Sequence, residues 1–172
     1  MDGIPLRRLS IATLLVAFAA SAIAAAQGPR ASATLTVDKS TVAAGATVTG
    51  RVTVTFPDGY HAYQNPPSED FEIPLKLEAG KASKFKLVKV TYPKGTPMSV
   101  GGEPKPSAVY TDTIVIPVVL KAPAGVGASS VSINVNYQQC NASSCLPPDM
   151  LELTAKLTVK PAAKKTSKPK KS

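Results

Sequence analysis

The stretch "VSINVNYQQCNASSCLPPDM", residues 131–150, combines a regular polarity pattern with the only two cysteines of the chain. Apolar side chains alternate with polar ones from Val131 through Ile133 and Val135 to Tyr137. A period of two is typical of a β-strand with one face toward a core and the other toward solvent. The four residues between the cysteines have the length of a hairpin connection. The stretch therefore predicts a strand, a tight turn and the approach to another strand.

The same alternation recurs between about residues 31 and 160, and no segment has a helical period. The rows predicted to face the core are Val48, Val52, Val54 and Phe56; Phe71, Ile73, Leu75 and Leu77; Phe85, Leu87 and Lys89; Ile114, Ile116, Val118 and Leu120; and Leu151, Leu153, Ala155, Leu157 and Val159. Many short strands without crossover helices predict an all-β fold, an antiparallel immunoglobulin-like β-sandwich. The close cysteine spacing excludes the inter-sheet disulfide of antibody domains.

The first 26 residues have the pattern of a cleaved secretory signal. Arg7 and Arg8 precede the apolar run "IATLLVAFAASAIAAA", which ends in Ala-x-Ala sequences. The predicted organisation is a signal peptide over residues 1–26, a short linker over 27–31, one β-sandwich domain over 32–160 and a basic, disordered tail over 161–172. We therefore expect secretion across the inner membrane and a periplasmic location, where disulfides persist.

The formal charge of +9 is concentrated in the tail "PAAKKTSKPKKS", which carries five lysines. A segment of this composition cannot bury apolar surface. Two interpretations are open, a solvated end that aids solubility and a contact with an anionic surface such as lipid or cell-wall polymer. No nucleic acid is expected as a partner, because the predicted compartment is outside the cytoplasm.

The cysteine pair is expected at the mouth of a turn, where facing Cα atoms lie roughly 4.5–5.5 Å apart and a disulfide can form. The core-facing residues of the preceding strand are odd-numbered, so strand parity predicts that Cys140 faces away from the core and is reachable from outside. Pro147 and Pro148 remove two backbone donors, which predicts that Cys145 is exposed at an irregular corner.

Three interpretations of the pair are open on the residues alone. As a structural staple, a bridge across so short a loop contributes roughly 2 kcal/mol. As a redox couple, exposed sulfurs exchange with other thiols. As a soft Cu(I) site, Cys140 and Cys145 need a further ligand such as Met98. His61, the single histidine, is interpreted as a polar position between aromatic ones, and no histidine or lysine lies beside the pair in sequence.

Four segments together carry a family resemblance: "FPDGYHAYQN", "TYPKGTP", "VYTDTIVIPVVL" and "YQQCNASSCLPP". Over most of residues 32–160 the sequence resembles the N-terminal periplasmic domain of the thiol:disulfide interchange protein DsbD and its relatives. The resemblance implies an immunoglobulin-like sandwich whose cysteine pair accepts electrons from a thioredoxin-like partner and passes them to periplasmic thiol proteins. It also implies a cap loop that shields the pair until a partner docks.

The resemblance also implies roles for individual residues. Cys140 and Cys145 would form the redox couple, with Cys145 forming the mixed disulfide, and Tyr60 and Tyr63 would line the site. The cap would lie within residues 97–106, where Met98, Val100 and Glu103 are the candidate contacts. This segment departs from the family's acidic and aromatic cap, because "MSVGGEPKP" has no aromatic residue and Glu103 as its one acid.

The expected function is therefore a periplasmic thiol–disulfide module that relays reducing equivalents without a cofactor or metal. Its expected donor is a separate thioredoxin-like or DsbD-type membrane redox protein, since the sequence lacks the family's membrane and thioredoxin domains. Periplasmic thiol proteins are the expected recipients. Two alternatives are a non-enzymatic secreted interaction domain with a structural disulfide and a copper-handling protein.

Overall fold

A computed structural model describes residues 29–100 and 105–163 of the chain. The predicted signal peptide, Glu103 of the predicted cap and residues 164–172 of the predicted tail lie outside these ranges. Within the described ranges the backbone forms eleven strands and no helix. None of the described segments is therefore a helix with the length and hydrophobicity to cross a membrane.

The strands vary from two to twelve residues in length. They are β1 (Ser32–Val37), β2 (Thr41–Ala43), β3 (Thr47–Thr55), β4 (Ala62–Tyr63), β5 (Lys76–Ala79), β6 (Lys86–Val90), β7 (Thr96–Met98), β8 (Ser107–Tyr110), β9 (Thr113–Lys121), β10 (Gly127–Tyr137) and β11 (Asp149–Lys160).

Two four-stranded sheets and one small sheet account for these strands. The strand orders are β1-β3-β9-β6, β2-β11-β10-β5 and, for the three-stranded sheet, β4-β8-β7. All pairs are antiparallel except β2 with β11, which is parallel. The two larger sheets share one hydrophobic core, so the predicted all-β, immunoglobulin-like sandwich is confirmed, with one parallel pair at an edge.

The shared core is built from the alternating rows of the long strands. Val52 and Val54 of β3, Ile116 of β9 and Ile133 and Val135 of β10 are all fully buried. Burial of each such side chain contributes about 1.5–3 kcal/mol relative to exposure. On β11 the row is deepest at Leu157 and Val159, whereas Leu151, Leu153 and Ala155 are half-buried against the same core.

The row predicted from Phe71 to Leu77 is half wrong. Leu75 and Leu77 are buried, but Phe71 is 64% and Ile73 41% exposed. The chain turns here instead of extending, because the buried Glu72 carboxylate accepts a 2.6 Å hydrogen bond from the Ser68 N–H. The strand β5 consequently begins only at Lys76.

The row from Phe85 to Lys89 also ends early. Phe85 is buried and Leu87 half-buried, but Lys89 is exposed. A register shift between Leu87 and Lys89 in the pairing with β9 moves the side chains after Leu87 off the expected face.

The long strands place the cysteines and Lys160, the last residue of β11, at opposite ends of the sandwich. β10 runs toward Cys140, and the Phe56 ring at the end of β3 contacts Tyr137 at a centroid distance of 6.3 Å. β11 runs the other way and ends at Lys160, whose carbonyl accepts a 2.8 Å hydrogen bond from Ala44. Nine-residue strands such as β3 and β9 separate these ends by about 30 Å.

Candidate redox site

The cysteines lie in a short hairpin, residues 139–146, which we call the site hairpin. Its outer pair is joined by a 2.8 Å hydrogen bond from Leu146 N–H to Gln139 O. Its turn is closed by Asn141, whose N–H donates to Ser144 O at 2.9 Å and whose Oδ1 accepts from the N–H groups of Ser143 and Ser144. The asparagine side chain thus stabilises the turn by satisfying backbone donors, and none of these bonds involves sulfur.

Cys140 and Cys145 face each other inside this hairpin and form a disulfide with an S–S distance of 2.02 Å. Their Cα atoms are 3.9 Å apart, closer than the roughly 4.5–5.5 Å expected for facing strand residues. The closer approach follows from the turn, because the pair sits one residue outside the Asn141–Ser144 closure and not within a long ladder.

The two cysteines differ in exposure. Cys145 is exposed, as the two prolines after it predicted, but Cys140 is completely buried. The prediction that Cys140 is reachable from outside was therefore wrong. Strand parity holds only while a strand continues, and β10 ends at Tyr137, after which Gln139 and Cys140 are both buried. Of the two residues, Cys145 is therefore the one with surface exposed to solvent.

Cys140 leaves the large sheet and pairs with the segment that leads into β4. Its N–H donates to His61 O, and its carbonyl accepts from His61 N–H, both at 2.9 Å. Its side chain belongs to a second hydrophobic cluster with Tyr63 and Val109, against which Met98 and Val100 also pack. Of the residues expected to line or cap the site, Tyr63, Met98 and Val100 thus surround Cys140.

Tyr60 lies beside this cluster, in the wall of a surface groove of about 410 Å³. The turn before it depends on Gly59, which has a positive φ of 76°, and is closed by a 3.0 Å hydrogen bond from Tyr60 N–H to Pro57 O. The groove is also lined by Met98 and Val100 of the predicted cap and by Ala142 of the site hairpin. The structure therefore gathers every described residue of the expected site at one end of the sandwich.

His61 is a residue that sequence reasoning missed. It is 3% exposed, it lines the same groove, and its ring lies 6.2 Å from that of Tyr63 in a T-shaped arrangement. Among the described residues no atom hydrogen-bonds to its buried Nε2. Burial lowers the pKa of His61 below its ordinary 6.5. A signal was present, because period two in "YHAY" places His61 and Tyr63 on one face.

The segment just before β1 is held beside the site hairpin by side-chain hydrogen bonds. Gln139 Nε2 donates to Pro29 O at 2.6 Å, and the Arg30 guanidinium forms a two-pronged ion pair with Asp149 that includes a 2.8 Å hydrogen bond from Nε. Tyr137 donates its hydroxyl to the same carboxylate at 3.1 Å. The hydrogen bonds from Arg30 hold the pKa of Asp149 below its ordinary value.

A Cu(I) site made of Cys140, Cys145 and Met98 was one sequence-based alternative. In the structure the two sulfurs are bonded to each other, while Met98 packs against the cluster that contains Cys140. Over residues 29–100 and 105–163, no three His, Cys, Asp or Glu side chains are grouped as a metal site would require.

Comparison with known protein families shows to which family this chain belongs. The model of the family described as the N-terminal domain of the thiol:disulfide interchange protein DsbD matches residues 31–157. The chain belongs to this DsbD N-terminal domain family. The resemblance inferred from the sequence motifs is thereby confirmed, and a disulfide within the matched region supports a thiol–disulfide redox module.

The solved structures similar to this chain include two bacterial N-terminal domains. The N-terminal periplasmic domain of ScsB from Proteus mirabilis is 14% identical with a TM-score of 0.51, and the match covers 78% of this chain and 49% of that one. The chain thus spans about half the length of that structure. The reduced N-terminal domain of DsbD from Neisseria meningitidis is 20% identical with a TM-score of 0.44, covering 67% and 82% of the two chains. No curated protein sequence matches the chain.

Proposed function

We propose that this protein is a periplasmic thiol–disulfide carrier that relays reducing equivalents from a thioredoxin-like or DsbD-type donor to periplasmic thiol proteins. The observation that carries the proposal is the asymmetry of the disulfide, in which an exposed Cys145 is bonded to a buried Cys140 at an open end of the sandwich. Only the Cys145 sulfur of this pair is then accessible to partners, so each exchange begins at Cys145.

Loading begins with attack by a donor thiolate on the Cys145 sulfur. The Cys140–Cys145 bond breaks, Cys140 leaves with the electron pair and takes up a proton, and donor and Cys145 share a mixed disulfide. The second thiolate of the donor then attacks the donor sulfur that is bonded to Cys145, and Cys145 is released as a thiolate. The donor is oxidised to a disulfide, and the carrier gains two electrons and two protons.

Delivery is the reverse sequence on a different protein. The Cys145 thiolate attacks the recipient's disulfide and forms a mixed disulfide, and one recipient sulfur leaves as a thiolate. Cys140 then attacks Cys145, the carrier disulfide re-forms, and the second recipient sulfur is released. The buried Cys140 is suited to this resolving role because it meets only Cys145 and not outside disulfides.

The groove beside the cysteines is the proposed contact surface for partners. Tyr60 and Tyr63 line the site, and Met98 and Val100 of the cap pack against the Cys140 cluster. The cap therefore shields the buried Cys140 and leaves Cys145 exposed to an approaching partner, and we include Glu103 among the cap residues. Shielding of this kind restricts exchange to the Cys145 sulfur.

The proposed location follows from the organisation of the chain, with a signal over residues 1–26, a linker over 27–31, the domain over 32–160 and a tail over 161–172. The tail continues from Lys160, about 30 Å from the site hairpin. Lysines that contact an anionic surface from this end leave the cysteine end free for donors and recipients.

The test is a trapping experiment with a purified, reduced thioredoxin-fold protein that carries only its attacking cysteine. The Cys140→Ser variant, activated at Cys145 as a mixed disulfide with a small aromatic thiol, should yield a stable protein–protein disulfide. The matched Cys145→Ser variant, with its buried Cys140, should yield none. Absence of the product with Cys140→Ser, or equal yields from both variants, would overturn the proposal.

A further inference from the structure

His61 and Cys140 occupy directly opposed positions of an antiparallel pair, since each donates its N–H to the other's carbonyl at 2.9 Å. Opposed residues of such a pair point to the same face, with Cβ atoms about 4.5–5.5 Å apart. Tyr63, two residues further and on the same face, packs against Cys140 and has its ring 6.2 Å from that of His61. The backbone pairing and the shared neighbour Tyr63 thus place the imidazole on the same face as the buried sulfur.

The imidazole has an unused hydrogen-bonding atom at this position. Buried side-chain nitrogens are normally hydrogen-bonded. His61 is 3% exposed, and no described atom forms a hydrogen bond with its Nε2. In the disulfide, Cys140 has no proton to share. On reduction it becomes a thiol, and its S–H is then the donor that the neighbouring ring nitrogen lacks.

We infer that His61 is the proton acceptor for Cys140 during thiol–disulfide exchange, an inference that rests on the proposed function. When Cys140 resolves a mixed disulfide, its S–H proton passes to His61 Nε2 and its sulfur attacks Cys145. The Cys140–Cys145 bond forms, and the bond from Cys145 to the partner sulfur breaks. That sulfur leaves with the electron pair as a thiolate, and His61 gives the proton to it or to water.

The surroundings of His61 suit this role. The titratable groups that face it are Tyr60 and Tyr63 on its own segment, Cys140 and Cys145 on the site hairpin, and the exposed Asp112 in the turn before β9. Burial lowers the pKa of His61, so the ring is neutral and able to accept a proton near neutral pH. A thiol among apolar side chains is a poor nucleophile until a base removes its proton.

The direct test uses the wild-type chain, in which His61 is the only histidine and its ring NMR signals need no assignment by mutation. The ring shifts are titrated with pH in the oxidised protein, in the protein reduced with dithiothreitol and in reduced Cys140→Ala. Coupling predicts a second inflection at the thiol titration in reduced wild type alone. Superimposable curves in all three samples would overturn the inference.

A kinetic test uses glutathione disulfide in place of a protein partner. Attack by the Cys145 thiolate on glutathione disulfide releases one glutathione and forms the mixed disulfide, and release of the second glutathione then reports attack by Cys140. In His61→Gln, release near neutral pH should slow on the order of a hundredfold. The difference should shrink as the pH rises and the thiol ionises without a base. Equal slowing at every pH would mean a structural role and would overturn the inference.

A matched control is Tyr92→Phe, which removes a half-buried hydroxyl that accepts a 2.8 Å hydrogen bond from Leu77 N–H away from the site. Its glutathione release should keep the wild-type pH profile, and a profile like that of His61→Gln would contradict the inference. Because no protein partner takes part, failure here leaves the trapping experiment untouched, and failed trapping leaves this result standing.

Discussion

Reduction of the Cys140–Cys145 disulfide should leave the sandwich folded and lower its free energy of unfolding by roughly 2 kcal/mol. The cysteines are five positions apart, so the bridge closes a short loop and removes little entropy from the unfolded chain. The hydrogen bonds of the site hairpin do not involve sulfur, and the main core contains neither cysteine. A carrier needs this property, since it has to remain folded in both redox states.

Urea unfolding of the full chain, followed by far-ultraviolet circular dichroism with and without dithiothreitol, measures this difference. For a domain of this size the loss corresponds to a fall in Tm of about 6–10 °C. The Cys140→Ser/Cys145→Ser double variant is the control, because its unfolding curve should not respond to reductant. A reduced chain that is unfolded, or a loss above about 5 kcal/mol, would identify the disulfide as a structural staple and refute the reasoning.

Three further predictions concern burial and charge. Val118→Ala should destabilise the domain by about 2–3 kcal/mol, whereas Val115→Ala, on the same strand but 44% exposed, should stay within about 0.5 kcal/mol; equal losses in urea unfolding would contradict the packing described. In the reduced protein, iodoacetamide should label the exposed Cys145 before the buried Cys140, as read by mass spectrometry of quenched samples, and equal labelling would count against the asymmetry. Because burial lowers the pKa of His61 below 6.5, the imidazole takes up a proton at a higher pH in the unfolded chain than in the folded chain. The free energy of unfolding is therefore not reduced by His61 above about pH 6.5, and it falls as the pH drops toward the pKa of the folded state. His61→Gln should reduce the slope of Tm against pH in this range, and an unchanged slope would contradict the assignment.

The large sheets could be predicted from sequence because their information is local. Alternation from Val131 to Tyr137 identifies the apolar side chains of β10 that are buried in the core, although the polar Ser132 on the opposite face is buried as well. The same rule failed at Phe71 and Ile73, because alternation alone cannot show that a chain turns. There, the Glu72 carboxylate binds the backbone N–H of Ser68 and ends the extended conformation.

The candidate site was predictable only in part. The motifs named Cys140, Cys145, Tyr60 and Tyr63, and hairpin spacing indicated that the two sulfurs could meet. The burial of Cys140 and its pairing with His61 depend on contacts between segments that are far apart in sequence. No local sequence pattern encodes such a pairing, so the position of His61 opposite Cys140 could be recognised only in the folded structure.

The reduction potential of the Cys140–Cys145 couple tests the central claim most directly. It is measured by equilibrating the full chain with glutathione redox buffers and quantifying the reduced fraction after rapid alkylation. A working carrier predicts a potential above about −300 mV, within the range of known exchange proteins. A potential below that value, with the disulfide resistant to the glutathione pool, would contradict the account and favour an interaction domain held by a structural disulfide.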